Sequence, residues 1–218
     1  MENKKQNLII AGATGLIGGH ALEIASLQSD QFEGIYSITR RTSSTHSCVL
    51  ELISENLDID LDIYCNIGMI CLGSTKKQAG SNEALYKIDH DLVLHVAKQM
   101  KEIGVTKLAV VSSIGANPSS PSHYLKCKGE MERDVQALGF TNLLFVRPGP
   151  LVGRKVKTRA DEKLVQMILN PLSPLMIGPL EKYRPIHARD IALYMLKYLM
   201  ENEQRGTHYA YQPEITGK

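Results

Sequence analysis

The run Leu8-Ile9-Ile10-Ala11-Gly12-Ala13-Thr14-Gly15-Leu16-Ile17-Gly18-Gly19 constrains the fold more than any other part of the chain. An apolar segment meets a glycine-rich turn, and an amphipathic segment follows at once through Ala21, Leu22, Ile24, Ala25 and Leu27. That order describes a first strand, a loop and a first helix. The glycines answer separate demands: Gly12 permits a tight exit from the strand, Gly15 lets backbone approach a pyrophosphate with no Cβ in the way, and Gly18 lets the helix pack close to the sheet. The helix N-terminus adds unpaired N–H groups that suit an anion. The spacing is Gly-x-x-Gly-x-x-Gly rather than Gly-x-Gly-x-x-Gly, and glycine-rich turns are common. Placement between a first strand and a helix is what points to dinucleotide binding, with Gly12, Thr14, Gly15, Leu16, Ile17 and Gly18 as contacts.

The chain has 218 residues, 43% hydrophobic and 22% charged, which fits one α/β domain with a full sheet between helix layers. Residues 1–218 are expected to form a single dinucleotide-binding domain, with about 150–218 as a small substrate-side portion. A net charge of +2 is too small to argue for nucleic acid or an anionic membrane as partner. The longest apolar runs fall short of the ~20 residues that span a bilayer. The polar start Met1-Glu2-Asn3-Lys4-Lys5-Gln6 passes straight into the first strand, so no signal peptide is expected, and a cytoplasmic location is. Cys48, Cys65, Cys71 and Cys127 have no Cys-x-x-Cys spacing, which disfavours structural zinc and a disulfide framework and agrees with reduced thiols.

After the first helix, Gly34–Thr39 reads as a second strand that ends in Arg40-Arg41. In a dinucleotide-binding fold this strand end faces the adenosine ribose, where an acid suits the 2′-hydroxyl of NAD and arginine suits a 2′-phosphate. Two guanidiniums stand where the acid would be, and each offers planar, bidentate donors to phosphate oxygens. The expected cofactor is therefore NADP(H). Cys48–Ile53 is a further candidate strand, and Asp58, Asp60 and Asp62 alternate with Ile59, Leu61 and Ile63 as a solvated face rather than a metal loop. Residues 67–75 read as a buried strand whose end, Leu72-Gly73-Ser74, lies where cofactor would pass.

Leu85, Ile88, Leu92, Val96 and Met100 recur at helical spacing and predict a helix over 82–103, stopped by Gly104. His90 and His95 on it are expected to face solvent or to be satisfied locally, since five-residue spacing does not put them on one face. A strand over Lys107–Val111 exits at Ser112-Ser113, and a Ser/Pro/Asn-rich loop leads to a helix from His123 to Glu132. Tyr124 and Lys128 are four residues apart and share one face of it.

That constellation carries chemistry. A tyrosine hydroxyl is ordinarily too weak an acid for proton transfer at neutral pH, and an ammonium one turn away favours its phenolate. A serine at the preceding strand end can hydrogen-bond a substrate oxygen, while the tyrosine gives a proton to a carbonyl or removes one from an alcohol. Ser112 and Ser113 both stand at that strand end. His123 points about 100° around the helix and is given no role, and Cys127 is expected to pack. Leu143–Val146 continues as a strand into Arg147-Pro148-Gly149, and a basic run follows through Arg154, Lys155, Lys157 and Arg159. Helices are expected over 161–170 and 190–200, a short extended piece over 184–187, and a last strand over 206–211.

With these features in order, the chain resembles an atypical short-chain dehydrogenase/reductase, and more narrowly it is similar to the Tat-interacting-protein-like oxidoreductases, relatives of the nucleotide-sugar epimerases. The resemblance spans roughly residues 7 to 200. It implies a doubly wound, three-layer αβα Rossmann fold and NADPH as cofactor, with Arg40 and Arg41 at the 2′-phosphate. Leu72, Gly73, Ser74, Lys128, Pro148, Leu151 and Arg159 become further cofactor contacts, Tyr124 and Lys128 the catalytic pair, and Ser112 its partner. The wider superfamily often has an asparagine in the long helix to hold a relay water. Asp89 stands at about that place, a departure that questions the relay. The expected activity is hydride transfer between nicotinamide and a small carbonyl or alcohol, because little chain follows the last strand to shape a nucleotide-sugar site. The alternatives are a redox-sensing NADP(H)-binding module acting on a protein partner and, behind it, a nucleotide-sugar epimerase. Pairing of the 82–103 and Tyr124 helices across a homodimer is left open.

Overall fold

Side chains of the first strand, β1 (Gln6–Ala11), alternate between two cores: Leu8 and Ile10 join one, Ile9 and Ala11 the other. A strand buried on both faces in this way belongs in the middle of a sheet covered by helices on either side. The computed structural model describes residues 5–42, 46–152 and 178–217. Following β1 are α1 (Leu16–Leu27), β2 (Phe32–Thr39), β3 (Val49–Ile53), β4 (Ile67–Ile70), and the short helices α2 (Lys76–Ala79) and α3 (Asn82–Tyr86). A π-helical turn at Lys87–Asp91 joins α3 to α4 (Leu92–Glu102). Then come β5 (Lys107–Val111), α5 (His123–Gln136), β6 (Asn142–Val146), β7 (Leu151–Val152), a 3-10 turn at Gly178–Tyr183, β8 (Ile186–His187), α6 (Ala188–Glu201), β9 (Gly206–Ala210) and α7 (Gln212–Ile215).

Seven strands form one parallel sheet in the order β3-β2-β1-β4-β5-β6-β9. Leu8 pairs with Ile35 of β2 on one side and with Ile67 of β4 on the other, so the order reverses at β1. In open parallel sheets a ligand crevice forms at such a switch point, beyond the carboxyl ends of the strands. Helices α1 and α6 cover one face through Ala21, Leu22, Ile191 and Met195, and α4 and α5 cover the other through Val93, Val96, Met131 and Val135. The architecture is the doubly wound, three-layer αβα Rossmann fold. β7 and β8 make a separate two-stranded ribbon. No helix among the described residues is long and apolar enough to cross a membrane.

Two local expectations change. The strand expected over 67–75 ends at Ile70, because the last ladder bond runs from Cys71 N–H to Ala11 O (2.8 Å) and β1 then turns away at Gly12. Cys71–Thr75 is free to line the crevice as loop. The helix expected over 82–103 is interrupted by the π-helical turn, which no apolar spacing announces. The short helix α7 and the β7–β8 ribbon are also additions. The helix expected over 161–170 and the basic run, Arg159 included, lie outside the described residues.

Candidate active site

The glycine loop shows why two of its glycines are required. Gly12 has φ +90°, and a Cβ there would come within 2.8 Å of the Cys71 carbonyl carbon. A Cβ on Gly18 would stand 2.2 Å from Gly12 O, inside any tolerable contact, so α1 packs this close to the loop only with glycine at that position. Gly15 N–H closes the turn on Gly12 O at 2.9 Å. The loop brings the start of α1, Leu16 and Ile17, to the wall of the crevice.

One cavity of about 500 Å³ gathers most of the expected site. Its walls come from Thr14–Ile17 of the glycine loop, Cys71–Thr75 after β4, Ser112 and Ser113 after β5, Tyr124 and Lys128 of α5, and Pro148, Gly149 and Leu151 after β6. Residues more than a hundred positions apart thus meet because four parallel strands end side by side. Ser112 is buried, and its hydroxyl has no hydrogen-bond partner. The Ser113 hydroxyl is already committed to Ile114 O at 3.3 Å. Of the two serines, Ser112 is the one with unspent hydrogen-bonding capacity. Leaving a buried hydroxyl unpaired costs about 1–3 kcal/mol, and this is a common signature of a ligand-binding position.

Lys128 is 2% exposed and its Nζ lies 2.7 Å from Asp89 Oδ1, a carboxylate that is itself fully buried. Asp89 Oδ2 accepts the Ser74 N–H at 2.8 Å. Burial pushes the Lys128 ammonium down more strongly than any one neighbour lifts it, but the Asp89 carboxylate together with Tyr124 and Cys127 outweighs burial and raises the lysine above its ordinary value. Asp89 reaches inward because of the π-helical turn, which brings two consecutive residues, Asp89 and His90, into the interior. His90 faces the other way: Nδ1 meets Asp91 at 2.8 Å, Nε2 meets Asp134 of α5 at 2.9 Å, and the ring stacks on Tyr86. His90 is therefore buried and satisfied rather than solvent-facing. His95 is exposed and pairs with Asp58 at 2.9 Å, consistent with a solvated aspartate face. π-helical turns of this kind often mark functional sites.

Cys127 is buried on the inner side of α5, where burial pushes its thiol up to about 11, and burial likewise takes Cys71 to about 12. Neither behaves as a thiolate nucleophile. His123 is exposed and meets the edge of the Tyr86 ring.

A feature that sequence reading missed holds the site helix in place. Glu132 continues the Tyr124–Lys128 face one further turn along α5 and receives Arg147 through Nε at 2.9 Å and through Nη2. Arg147 also donates to the Tyr211 hydroxyl at 2.8 Å and lies over the Tyr209 ring. The clamp ties α5 to the Arg147-Pro148-Gly149 turn, and the available signal was the four-residue repeat Tyr124, Lys128, Glu132.

A second cavity of about 790 Å³ shares Thr14 and Leu72 with the first and opens over Gly12, Arg40 and Arg41. Both arginines are exposed, and the Thr39 hydroxyl fixes the turn that carries them by donating to Arg41 O at 2.6 Å while accepting the Arg41 N–H. Glu55 and Asn56 line the same cavity. They arrive there because β3 runs parallel to β2 with Thr39 opposite Ile53. An acid is therefore near the arginines after all, supplied by the next strand end. A larger groove of about 930 Å³ beside α6 and α7 shares no lining residue with either cavity. Among the described residues no group of three or more His, Cys, Asp or Glu side chains is arranged to hold a metal ion.

Comparison with known proteins adds the family. The model of the family described as HIM1 matches residues 29–176. The chain belongs to the HIM1 family. Its relatives include "Protein FMP52, mitochondrial" of Saccharomyces cerevisiae, 38% identical over 70% of this chain and 69% of that protein, and the protein of the same name from Kluyveromyces lactis, 40% identical over 68% and 69%. Among solved structures, this HIM1-family chain shares its fold with MoeE5 in complex with UDP-glucuronic acid and NAD (TM-score 0.70, 13% identity, 93% of this chain and 75% of that one). It shares it equally with a UDP-N-acetylglucosamine 4-epimerase from Methanobrevibacter ruminantium (TM-score 0.68, 18% identity, 95% and 77%). The expectation of a cytoplasmic location is overturned by the relatives, which are named as mitochondrial proteins. A polar N-terminus and reduced cysteines are equally compatible with the inside of an organelle.

Proposed function

We propose that this HIM1-family protein is an NADP(H)-dependent oxidoreductase of the short-chain dehydrogenase type, transferring hydride between nicotinamide and a small carbonyl or alcohol. The observation that carries the reading is the shared cavity: Tyr124, buried Lys128 and the unpartnered Ser112 hydroxyl stand opposite a glycine loop at the switch point of a parallel sheet. The residues fit a dinucleotide along the two adjoining cavities. Gly12, Thr14, Gly15, Leu16, Ile17 and Gly18 would hold the pyrophosphate, Leu72, Gly73, Ser74, Pro148 and Leu151 the nicotinamide half, and Arg40 and Arg41 a 2′-phosphate. When bound, the nicotinamide would supply or accept the hydride. Ser112 holds the substrate oxygen by hydrogen bond, and Tyr124 gives that oxygen its proton as hydride adds to the carbonyl carbon, or removes it in the reverse direction. The Lys128 ammonium favours the phenolate left behind. The whole chain would act as one unit with residues from about 150 on the substrate side, in the mitochondrial setting that the relatives' names suggest.

The test is titration with NADPH and NADH separately, comparing wild type with Arg40→Ala/Arg41→Ala. The reading expects NADPH to bind more tightly in wild type and the preference to vanish in the double variant. Failure of both nucleotides to bind would end it. The likeness to UDP-sugar enzymes supports a second reading, a nucleotide-sugar epimerase. That reading expects a UDP-hexose to be interconverted with no net change in NADPH absorbance.

A further inference from the structure

Asp89 and Lys128 form a buried pair of opposite charges that faces the nicotinamide half of the proposed site, and no step of the proton transfer above uses the carboxylate. Both side chains are at most 3% exposed, and both line the 500 Å³ cavity. A Cβ on Gly73 would lie 3.3 Å from Asp89 Oδ1 and 3.5 Å from Lys128 Nζ, so glycine at 73 leaves room above the pair. Two further contacts keep the carboxylate in position. Ser74 N–H holds Oδ2 from the β4 side, and His90, gripped by Asp134 and Asp91, pins the π-helical turn to α5 on the other. The carboxylate is thus placed by the fold.

We propose that Asp89 sets the redox preference of the nucleotide site: by cancelling the Lys128 charge it lets the oxidised, cationic nicotinamide bind about as well as the reduced, neutral one. This rests on the reading of the crevice as a nicotinamide site. A lone buried ammonium would repel the oxidised ring while leaving the reduced ring untouched, and in a partly dehydrated cleft one unit charge several ångströms away matters. Asp89 is a positioning residue in this account. It acts through the charge and position of Lys128 and touches no reacting atom.

The experiment is calorimetric titration of the full chain with NADP⁺ and with NADPH, read as the ratio of the two dissociation constants. Asp89→Asn is expected to shift that ratio roughly 3- to 100-fold toward the reduced form, the span for one unit charge about 6 Å away between water-like and protein-surface screening. The double variant Asp89→Asn/Lys128→Met, neutral again, is expected to return it to the wild-type value. A merely structural role for Asp89 would weaken both ligands together and leave the ratio where it was, and that result overturns the proposal. Should Asp89→Asn fail to fold, Lys128→Met carries the test with opposite sign, shifting the ratio toward the oxidised form. An unmoved ratio there also overturns it. If wild type binds neither nucleotide, the crevice reading itself fails, an outcome distinct from two nucleotides bound with an unchanged ratio.

Discussion

The two ends of the crevice handle charge in opposite ways. At one end Arg40 and Arg41 are exposed on a turn beyond β2, in a cavity that also admits Glu55. At the other, Lys128 and Asp89 are buried in a 2.7 Å ion pair, held by the Ser74 N–H on one side and by the His90-pinned turn on the other. Exposed charges are screened by water and salt, so the arginine end can attract a phosphate but is tolerant of change. A buried pair is intolerant, since removing one partner strands the other in a medium that solvates it poorly. The tyrosine end should therefore answer mutation with large effects and the arginine end with modest, salt-dependent ones.

The largest effect is expected at Tyr124. Tyr124→Phe should lower the hydride-transfer rate by roughly 100-fold or more, the usual contribution of a positioned acid–base group, while NADPH affinity changes little. Stopped-flow absorbance of NADPH against a carbonyl panel measures it. Equal loss of binding and rate would instead tie Tyr124 to nucleotide affinity. Next comes the clamp beneath the same helix. Glu132→Gln leaves the partly buried Arg147 without its carboxylate and should destabilise the fold by about 3 kcal/mol in urea unfolding. At the arginine end, Arg40→Ala/Arg41→Ala should weaken NADPH about 10-fold with NADH unaffected, and the difference should shrink as salt rises.

The smallest effect is on the outer face of α5. Arg133 holds the Asp134 carboxyl below its usual range against the opposing pull of burial, with His90 assisting. A carboxyl depressed in the folded state contributes stability above its unfolded pKa of about 3.9 and loses it as pH falls through the folded value. Asp134→Asn should therefore flatten the acid limb of the melting temperature below about pH 4, by less than about 1 kcal/mol.

Much of this contrast could be read before the structure. The glycine loop, the strand ends at Arg40 and Ser112, and the Tyr124–Lys128 spacing are local signals, and parallel pairing of β2, β1, β4, β5 and β6 sets those strand ends along one edge of the sheet. What escaped was pairing across elements. Nothing near Asp89 in sequence says that a π-helical turn aims it at Lys128, because helical periodicity assumes every turn is regular. Glu55 was invisible as a neighbour of Arg41 until β3 was seen to run beside β2. Location failed for another reason. Composition excludes a membrane span more readily than it names a compartment, and the named relatives supplied the correction.

The proposed function requires one dinucleotide to span both ends of the crevice. A crystal structure of the NADP⁺ complex tests it most directly. The pyrophosphate is expected over residues 12–16, the 2′-phosphate against Arg40 or Arg41, and the nicotinamide ribose within hydrogen-bond reach of Tyr124 or Lys128. A nucleotide seated in the groove beside α6 and α7, or one whose nicotinamide turns away from Tyr124, would contradict it.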